Sequence, residues 1–196
     1  MQQIMRAIFL DRDGVLNEDI DLLHRVEDII IPKKTIDAFL LLAKYDFLKI
    51  VISNQTVISR GLTDKSGVGK INEAINKTIF LKTGTSIDKF YICPHHPNAT
   101  VLKYRKNCNC RKPKSGMFLQ AAAEFGINLK ESWMIGDRIS DIIAGFNASC
   151  KTILIRTGKH KEPPIISDAI VLSIKPNYIC INLLEAIKII IERTQK

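Results

Sequence analysis

Two carboxylates two residues apart, Asp11 and Asp13, follow the apolar run Ala7-Ile8-Phe9-Leu10 and precede Gly14. Along an extended chain, side chains at i and i+2 project to the same side. The pair can therefore converge on one metal ion, or on one reacting phosphorus atom, at the carboxyl end of a strand, where open α/β sheets bind their ligands. Taken alone, Asp-x-Asp is a weak signal, since acidic pairs are common in solvated turns. Other apolar runs end in matching groups. Residues 49–52 lead into Ser53-Asn54-Gln55, short donors suited to phosphate oxygens, and 133–135 lead into Gly136-Asp137-Arg138, with Ser140-Asp141 one helical turn on. Between them lies the cationic string Arg111-Lys112-Pro113-Lys114. Carboxylates hold Mg²⁺, which demands oxygen ligands. A lysine and a hydroxyl neutralise a transferring phosphoryl group, and one carboxylate remains free to attack phosphorus.

A second constellation is soft rather than hard. Cys93-x-His95 and Cys108-x-Cys110 supply four ligands, the right count for a closed, tetrahedral structural zinc site. The same spacing admits reduced, unliganded cysteines in a loop. Bound zinc would fold the segment 94–110, which has no periodicity, and would fix the approach of Arg111 and Lys112 directly after Cys110. Cys150 and Cys180 read as small hydrophobes.

The elements that must position these groups alternate. Strand-like runs are expected at 4–10, 48–53, 89–93, 132–135, 151–155 and 169–172, with helical spacing at 35–45, 63–81, 116–125, 139–146 and 181–193. Alternation of this kind predicts βαβ units and a doubly wound, Rossmann-like parallel sheet. At 196 residues the chain suits one domain throughout. Gly67 and Gly69 fall inside the 63–81 helix without an evident reason, and Gly67-Val68-Gly69-Lys70 lacks the spacing of a phosphate-cradling P-loop.

Composition narrows the partners. A hydrophobic fraction of 46% and a charged fraction of 25% are ordinary for a globular protein. No apolar run reaches the roughly 20 residues of a bilayer span, and no signal-type segment precedes the first strand, so a reduced cytoplasmic setting without membrane contact is expected. The net charge of +9 is scattered and carried mostly by lysine, which suits an anionic small molecule better than a nucleic acid. Asn-x-Ser/Thr triplets at Asn76, Asn98 and Asn147 are read as chance matches.

Taken in order, Asp11-x-Asp13-Gly14, Ser53, Lys112 and Gly136-Asp137 with Asp141 resemble the four motifs of the haloacid dehalogenase superfamily of phosphohydrolases. Asp-Arg-Asp-Gly-x-x-Asn (11–17), Ser-Asn-Gln with Arg60-Gly61, Cys-Pro-His-His-Pro (93–97), Cys-x-Cys-Arg-Lys-Pro (108–113) and Arg156-Thr157-Gly158-Lys159 are similar to the D-glycero-D-manno-heptose 1,7-bisphosphate 7-phosphatase family, in the histidinol-phosphatase-like branch. The match covers about residues 5–160. The resemblance implies a nucleophilic Asp11 that forms an aspartyl-phosphate, and Asp13 as general acid and base. Mg²⁺ would lie between Asp11, the Asp13 carbonyl and Asp137, with Asp141 supporting from behind. Ser53 and Lys112 would hold the phosphoryl group, and Asp19, Asn54, Gln55, Arg60, Arg111 and Arg138 would bind the sugar bisphosphate. Zinc would be held by Cys93, His95, Cys108 and Cys110, with Pro94 and His96 outside the set. The branch implies a monomer, and the stretch between Asp13 and Ser53 holds little beyond one helix, so no large inserted cap domain is expected.

The chain departs from that pattern at Asp19-Ile20-Asp21-Leu22-Leu23-His24, where a Gly-Tyr-Val-His-like turn is usual, and at Thr56-Val57-Ile58-Ser59, where a glycine is lost. Arg138 stands where lysine is common. His24 is read as a loop residue. Both altered loops border the expected sugar pocket, so they bear on substrate rather than on reaction type. Histidinol phosphate is the alternative substrate within the branch. A polynucleotide 3′-phosphatase and a non-enzymatic zinc module are the other classes. The first calls for stacking aromatics, scarce here at 7%, and the second for a missing carboxylate, whereas all are present.

Overall fold

In the computed structural model, residues 5–157 and 174–194 are described. Their strands are β1 (Ala7–Leu10), β2 (Leu48–Asn54), β3 (Lys89–Cys93), β4 (Trp133–Gly136), β5 (Lys151–Ile155) and β6 (Tyr178–Cys180). The helices are α1 (Lys33–Leu42), α2 (Thr56–Ser59), α3 (Lys65–Thr83), α4 (Gly116–Phe125), α5 (Ile139–Asn147) and α6 (Leu183–Thr194). All the strands pair in parallel in the order β3-β2-β1-β4-β5-β6.

A parallel sheet covered on both faces makes its strands nearly continuous apolar runs, because both faces are buried. In β1, Ile8 and Leu10 point into one core, shared with Phe39 of α1, Ile71 and Ile75 of α3, and Ile187 and Ile190 of α6. Ala7 and Phe9 point into the other, shared with Met117 and Phe118 of α4 and Ala144 of α5. Phe9 and Phe118 meet there with ring centroids 4.8 Å apart. A smaller cluster of Val57, Ile58 and Val68, with Leu22, Ile92 and Tyr104 against it, ties α2 and α3 to the loops at 19–24 and 94–110.

The expected α/β architecture is what forms, with shifts at the ends. Helix α1 starts two residues early, after Pro32, and helix α3 runs from an Asp64 cap, whose carboxylate accepts from the Gly67 amide, to Gly84 in the left-handed region. Gly67 has a local reason: the Thr63 hydroxyl lies 2.0 Å from where a Cβ would stand. Nothing in the structure explains Gly69. The four-residue helix α2 and strand β6 were not expected, and the strand expected at 169–172 lies outside the described residues. Among the described residues no domain is inserted between β1 and β2, which are joined by a 3-10 turn at Val26–Asp28 and α1. No helix of the described residues is long and apolar enough to cross a membrane.

Candidate active site

The strand order reverses between β1 and β4, the crevice where doubly wound sheets bind ligands. Asp11 leaves β1 at that point, its amide donating to the Ile135 carbonyl at 3.0 Å, and Asp137 follows β4 directly. Carboxylate oxygens of Asp11, Asp137 and Asp141 lie within 4.8 Å of one another. Lys112 reaches in from the loop ahead of α4. Its Nζ lies 2.9 Å from Asp11 Oδ1 and 2.7 Å from Asp141 Oδ1, and donates to the Ile52 carbonyl at 2.8 Å. The backbone must come very close for this. A Cβ on Gly14, which has φ +82°, would lie 2.4 Å from Asp137 Oδ2, and one on Gly136 would lie 2.2 Å from Asp141 Cβ.

The electrostatics are unfinished without a cation. Both carboxylate oxygens of Asp137 are buried with no hydrogen-bond partner among the described residues. Burial, reinforced by Asp11 and Asp141, pushes its carboxyl up to about 8. Burial likewise raises Asp11 to about 6, with Lys112 pulling the other way. Burial also works against the Lys112 charge, yet Asp11 and Asp141 hold that ammonium above the ordinary lysine range. Asp141 is thereby matched to Lys112 and to the Arg138 amide, 3.0 Å from its Oδ2. Asp137 feels the charges of Arg138 and Lys112 but has no hydrogen-bond partner among the described residues, and the Asp11 and Asp137 oxygens form a donor set that fits a hard divalent cation.

Asp11, Lys112 and Asp141 open into a cavity of about 520 Å³ that is also lined by Asp13, Asp19, Ser53, Asn54, Gln55, Arg60 and Arg111. The sequence-derived residues are thus gathered at one place, but they do not all present free atoms. The Asn54 carboxamide clasps the Lys112 main chain in both directions, at 3.1 Å each. Gln55 Nε2 donates to Asp13 Oδ2 at 3.1 Å and to Ser53 Oγ at 2.7 Å. Asp19 pairs with Arg138 at 2.7 Å. Arg111 donates to the His95 carbonyl at 3.0 Å while lining the cavity. The loop at 19–24 forms part of the wall through Asp21, Leu22 and Leu23, with Asp21 (φ 55°) and Leu22 (φ 52°) both left-handed. His24 is exposed and bonds only locally, with the Leu22 carbonyl 2.8 Å from its Nδ1. Sequence reasoning passed over Arg12, which is wholly buried among these groups. A lone arginine between two candidate catalytic carboxylates, at the end of an apolar strand, was the available signal.

The cysteine–histidine residues also converge. Sγ atoms of Cys93, Cys108 and Cys110 are 3.2 to 3.5 Å apart, and His95 Nδ1 lies 3.4 Å from Cys110 Sγ and 3.8 Å from Cys93 Sγ. Zn–S bonds of about 2.3 Å in a tetrahedron imply S···S edges of about 3.8 Å. The sulfur spacings are slightly tighter than that and far longer than a disulfide bond. All these cysteines are free thiols. Burial drives the Cys93 thiol above the ordinary cysteine range, whereas for Cys108 burial is outweighed by hydrogen bonds from Cys110 and Cys93, which pull it below that range. A cation would favour the thiolate at Cys93. His96 turns away, its Nδ1 accepting from the Asn98 amide at 3.0 Å. Cys150 and Cys180 are buried elsewhere, with burial raising their thiols to about 12 and about 11.

Comparison with known proteins agrees with the geometry. A HAD-hydrolase-like family model matches residues 109–186. The D-glycero-beta-D-manno-heptose-1,7-bisphosphate 7-phosphatase of Photorhabdus laumondii is 38% identical over 160 residues, 81% of this chain and 85% of its own length. The protein of the same name from Escherichia coli K12 is 35% identical over 164 residues, covering 83% and 85%. Among solved structures, the D,D-heptose 1,7-bisphosphate phosphatase from B. bronchiseptica, complexed with magnesium and phosphate, superposes with a TM-score of 0.81 at 26% identity, covering 96% of this chain and 99% of that one. The chain belongs to the heptose-1,7-bisphosphate 7-phosphatase family of haloacid dehalogenase-type hydrolases.

Proposed function

We propose that the protein is a single-domain phosphomonoester hydrolase that removes the 7-phosphate of D-glycero-D-manno-heptose 1,7-bisphosphate, working as a monomer in the cytoplasm. The observation that carries this reading is the buried ammonium of Lys112 between Asp11 and Asp141, beside an Asp137 carboxylate with no hydrogen-bond partner among the described residues. That arrangement suits binding a dianionic phosphoryl group next to a nucleophile.

Asp11 attacks phosphorus and becomes an aspartyl-phosphate as the bond to the sugar oxygen breaks. Asp13 gives its proton to that departing oxygen. It then takes one from the water that attacks phosphorus and restores Asp11. Lys112 and Ser53 hold the phosphoryl oxygens. Mg²⁺, held by Asp11, the Asp13 main-chain carbonyl and Asp137, would offset the negative charge of the phosphoryl group. Arg60, Arg111 and Arg138 face the remainder of the bisphosphate from the cavity wall. Asn54, Gln55 and Asp19 line the same cavity as substrate contacts and also hold Lys112, Asp13 with Ser53, and Arg138. Zn²⁺ bound by Cys93, His95, Cys108 and Cys110 would fix the loop that carries Arg111 and Lys112.

The test is Mg²⁺-dependent phosphate release from both anomers of the bisphosphate and from histidinol phosphate, with Asp11→Asn as blank. The relatives are named for the β-anomer, and preference for it is the expected result. Preference for histidinol phosphate would overturn the substrate while leaving the chemistry in place. The polynucleotide alternative is not favoured, because no Phe, Tyr or Trp is among the described residues that line the cavity.

A further inference from the structure

Arg12 stands between the two motif carboxylates and is 0% exposed, the largest wholly buried side chain of the described residues. Extended geometry sends it to the side opposite Asp11 and Asp13, and its guanidinium then folds back. Nε donates to Asp13 Oδ1 at 3.0 Å and NH2 to Asp13 Oδ2 at 2.9 Å, a two-pronged grip. NH1 donates to Asn72 Oδ1, on helix α3, at 3.3 Å. Asn17 Nδ2 adds a bond to Asp13 Oδ1 at 2.9 Å, and Gln55 Nε2 one to Oδ2 at 3.1 Å. A carboxylate offers about four lone-pair sites, and these four donors fill them. One donor must yield before Asp13 can exchange a proton with substrate or water. Arg12 is the wrong one to yield, since release would leave a buried guanidinium with Asn72 alone. Asn17 and Gln55 would each keep a second acceptor, the Glu18 carbonyl at 2.9 Å and Ser53 Oγ at 2.7 Å, but of the two only Gln55 lines the active-site cavity, so it is the one placed to yield to substrate.

We propose that Arg12, braced by Asn72, is the positioning residue for Asp13 in both proton transfers. Its fork fixes the plane of the carboxylate so that the Oδ2 edge held by Gln55 is the one that opens to the reacting oxygen. In the first half-reaction the Asp13 proton passes to the sugar oxygen as the P–O bond breaks, and the fork receives the carboxylate that forms. In the second, that carboxylate takes a proton from water as the new P–O bond forms and the bond to Asp11 breaks. A lysine supplies the charge of Arg12 but not the planar fork. The inference rests on the phosphatase reading above.

A double-mutant cycle on the heptose bisphosphate tests it, with each rate corrected for the folded fraction. General acid–base catalysis contributes about 10²- to 10⁴-fold. Arg12→Lys is expected to lower kcat about 100-fold with KM within about 3-fold, and Asn72→Ala about 10-fold in the same pattern. In an Asp13→Asn background both changes are expected to cost less than about 3-fold, because the group they position is already lost. An equal loss in both backgrounds, or a loss confined to KM, would overturn the proposal. Should Arg12→Lys fail to fold, the Asn72→Ala arm decides by the same criteria. Asp11→Asn alone reports separately on the phosphatase reading: turnover retained there rejects the aspartyl-phosphate, whereas an inactive Asp11→Asn with a failed cycle overturns the role of Arg12 alone.

Discussion

The molecule holds two ligand clusters, and they are built by opposite means. The carboxylate site joins Asp11 to Asp137 and Asp141 across most of the chain, and only the pairing of β1 with β4 brings them together. The cysteine–histidine site lies between residues 93 and 110, joined to the sheet by the end of β3 and by packing of Cys108 and Cys110 against the core. In the first, the sheet imposes the geometry, so buried carboxylates are held close at an electrostatic cost that Lys112 offsets in part. In the second, a loop with no strand or α-helix of its own has to be fixed by whatever binds its four soft ligands. A site imposed by the sheet survives loss of a ligand, whereas a site that fixes its own loop does not.

The largest effect should separate the two at once. Asp11→Asn is expected to lower turnover by at least about 10⁴-fold, as removal of a nucleophile does, while the melting temperature and zinc content stay those of the parent. Turnover near the parent value in a steady-state assay would reject the aspartyl-phosphate. Next, Cys108→Ser should lose its zinc and, through the loosened Arg111 and Lys112, about 10- to 100-fold in kcat/KM. Full zinc occupancy by elemental analysis would show that Cys108 is not a ligand. A smaller effect belongs to the link between the regions. Asn54→Ala removes both hydrogen bonds to the Lys112 backbone, at about 0.5–1.5 kcal/mol each. It is expected to lower kcat/KM about 10-fold and leave zinc bound, and an unchanged kcat/KM would mean that the loop holds Lys112 unaided.

The same contrast governs what could be read from the chain. The carboxylates, Lys112 and the four soft ligands were legible because their types and spacings are chemical statements in themselves. The sheet was legible because strands buried on both faces read as unbroken apolar runs. What escaped was set by neighbours distant in sequence. Strand β6 is three residues preceded by Lys175-Pro176-Asn177, and it forms because β5 offers an open edge. Asn54 and Gln55 read as substrate donors, and only the folded geometry adds that their amides also hydrogen-bond Lys112, Asp13 and Ser53. Arg12 read as a spacer between two aspartates because nothing local reveals that Asn72 waits on α3.

The smallest expected effect concerns the charge that the carboxylate site lacks. Asp137 is raised from 3.8 to about 8 in the metal-free fold. Between those values the folded form keeps a proton that the unfolded chain has lost, so this group makes the metal-free protein less stable as pH rises through that window. Asp11, raised to about 6, acts in the same sense over the lower part of it. A divalent cation needs the ionised carboxylates, so protons compete with it less as pH rises toward 8. The rise in melting temperature on adding Mg²⁺ should therefore be larger at pH 8 than at pH 6, by a few degrees, since 1 kcal/mol shifts Tm by roughly 2–4 °C for a chain of this size. Asp137→Asn should flatten that difference, because the amide carries no proton to displace. The soft cluster is common to both proteins, so it cannot account for a difference between them. An equal Mg²⁺ response at both pH values in the parent would mean that the cation binds without Asp137, and that the carboxylate site is less dependent on its missing charge than its geometry implies.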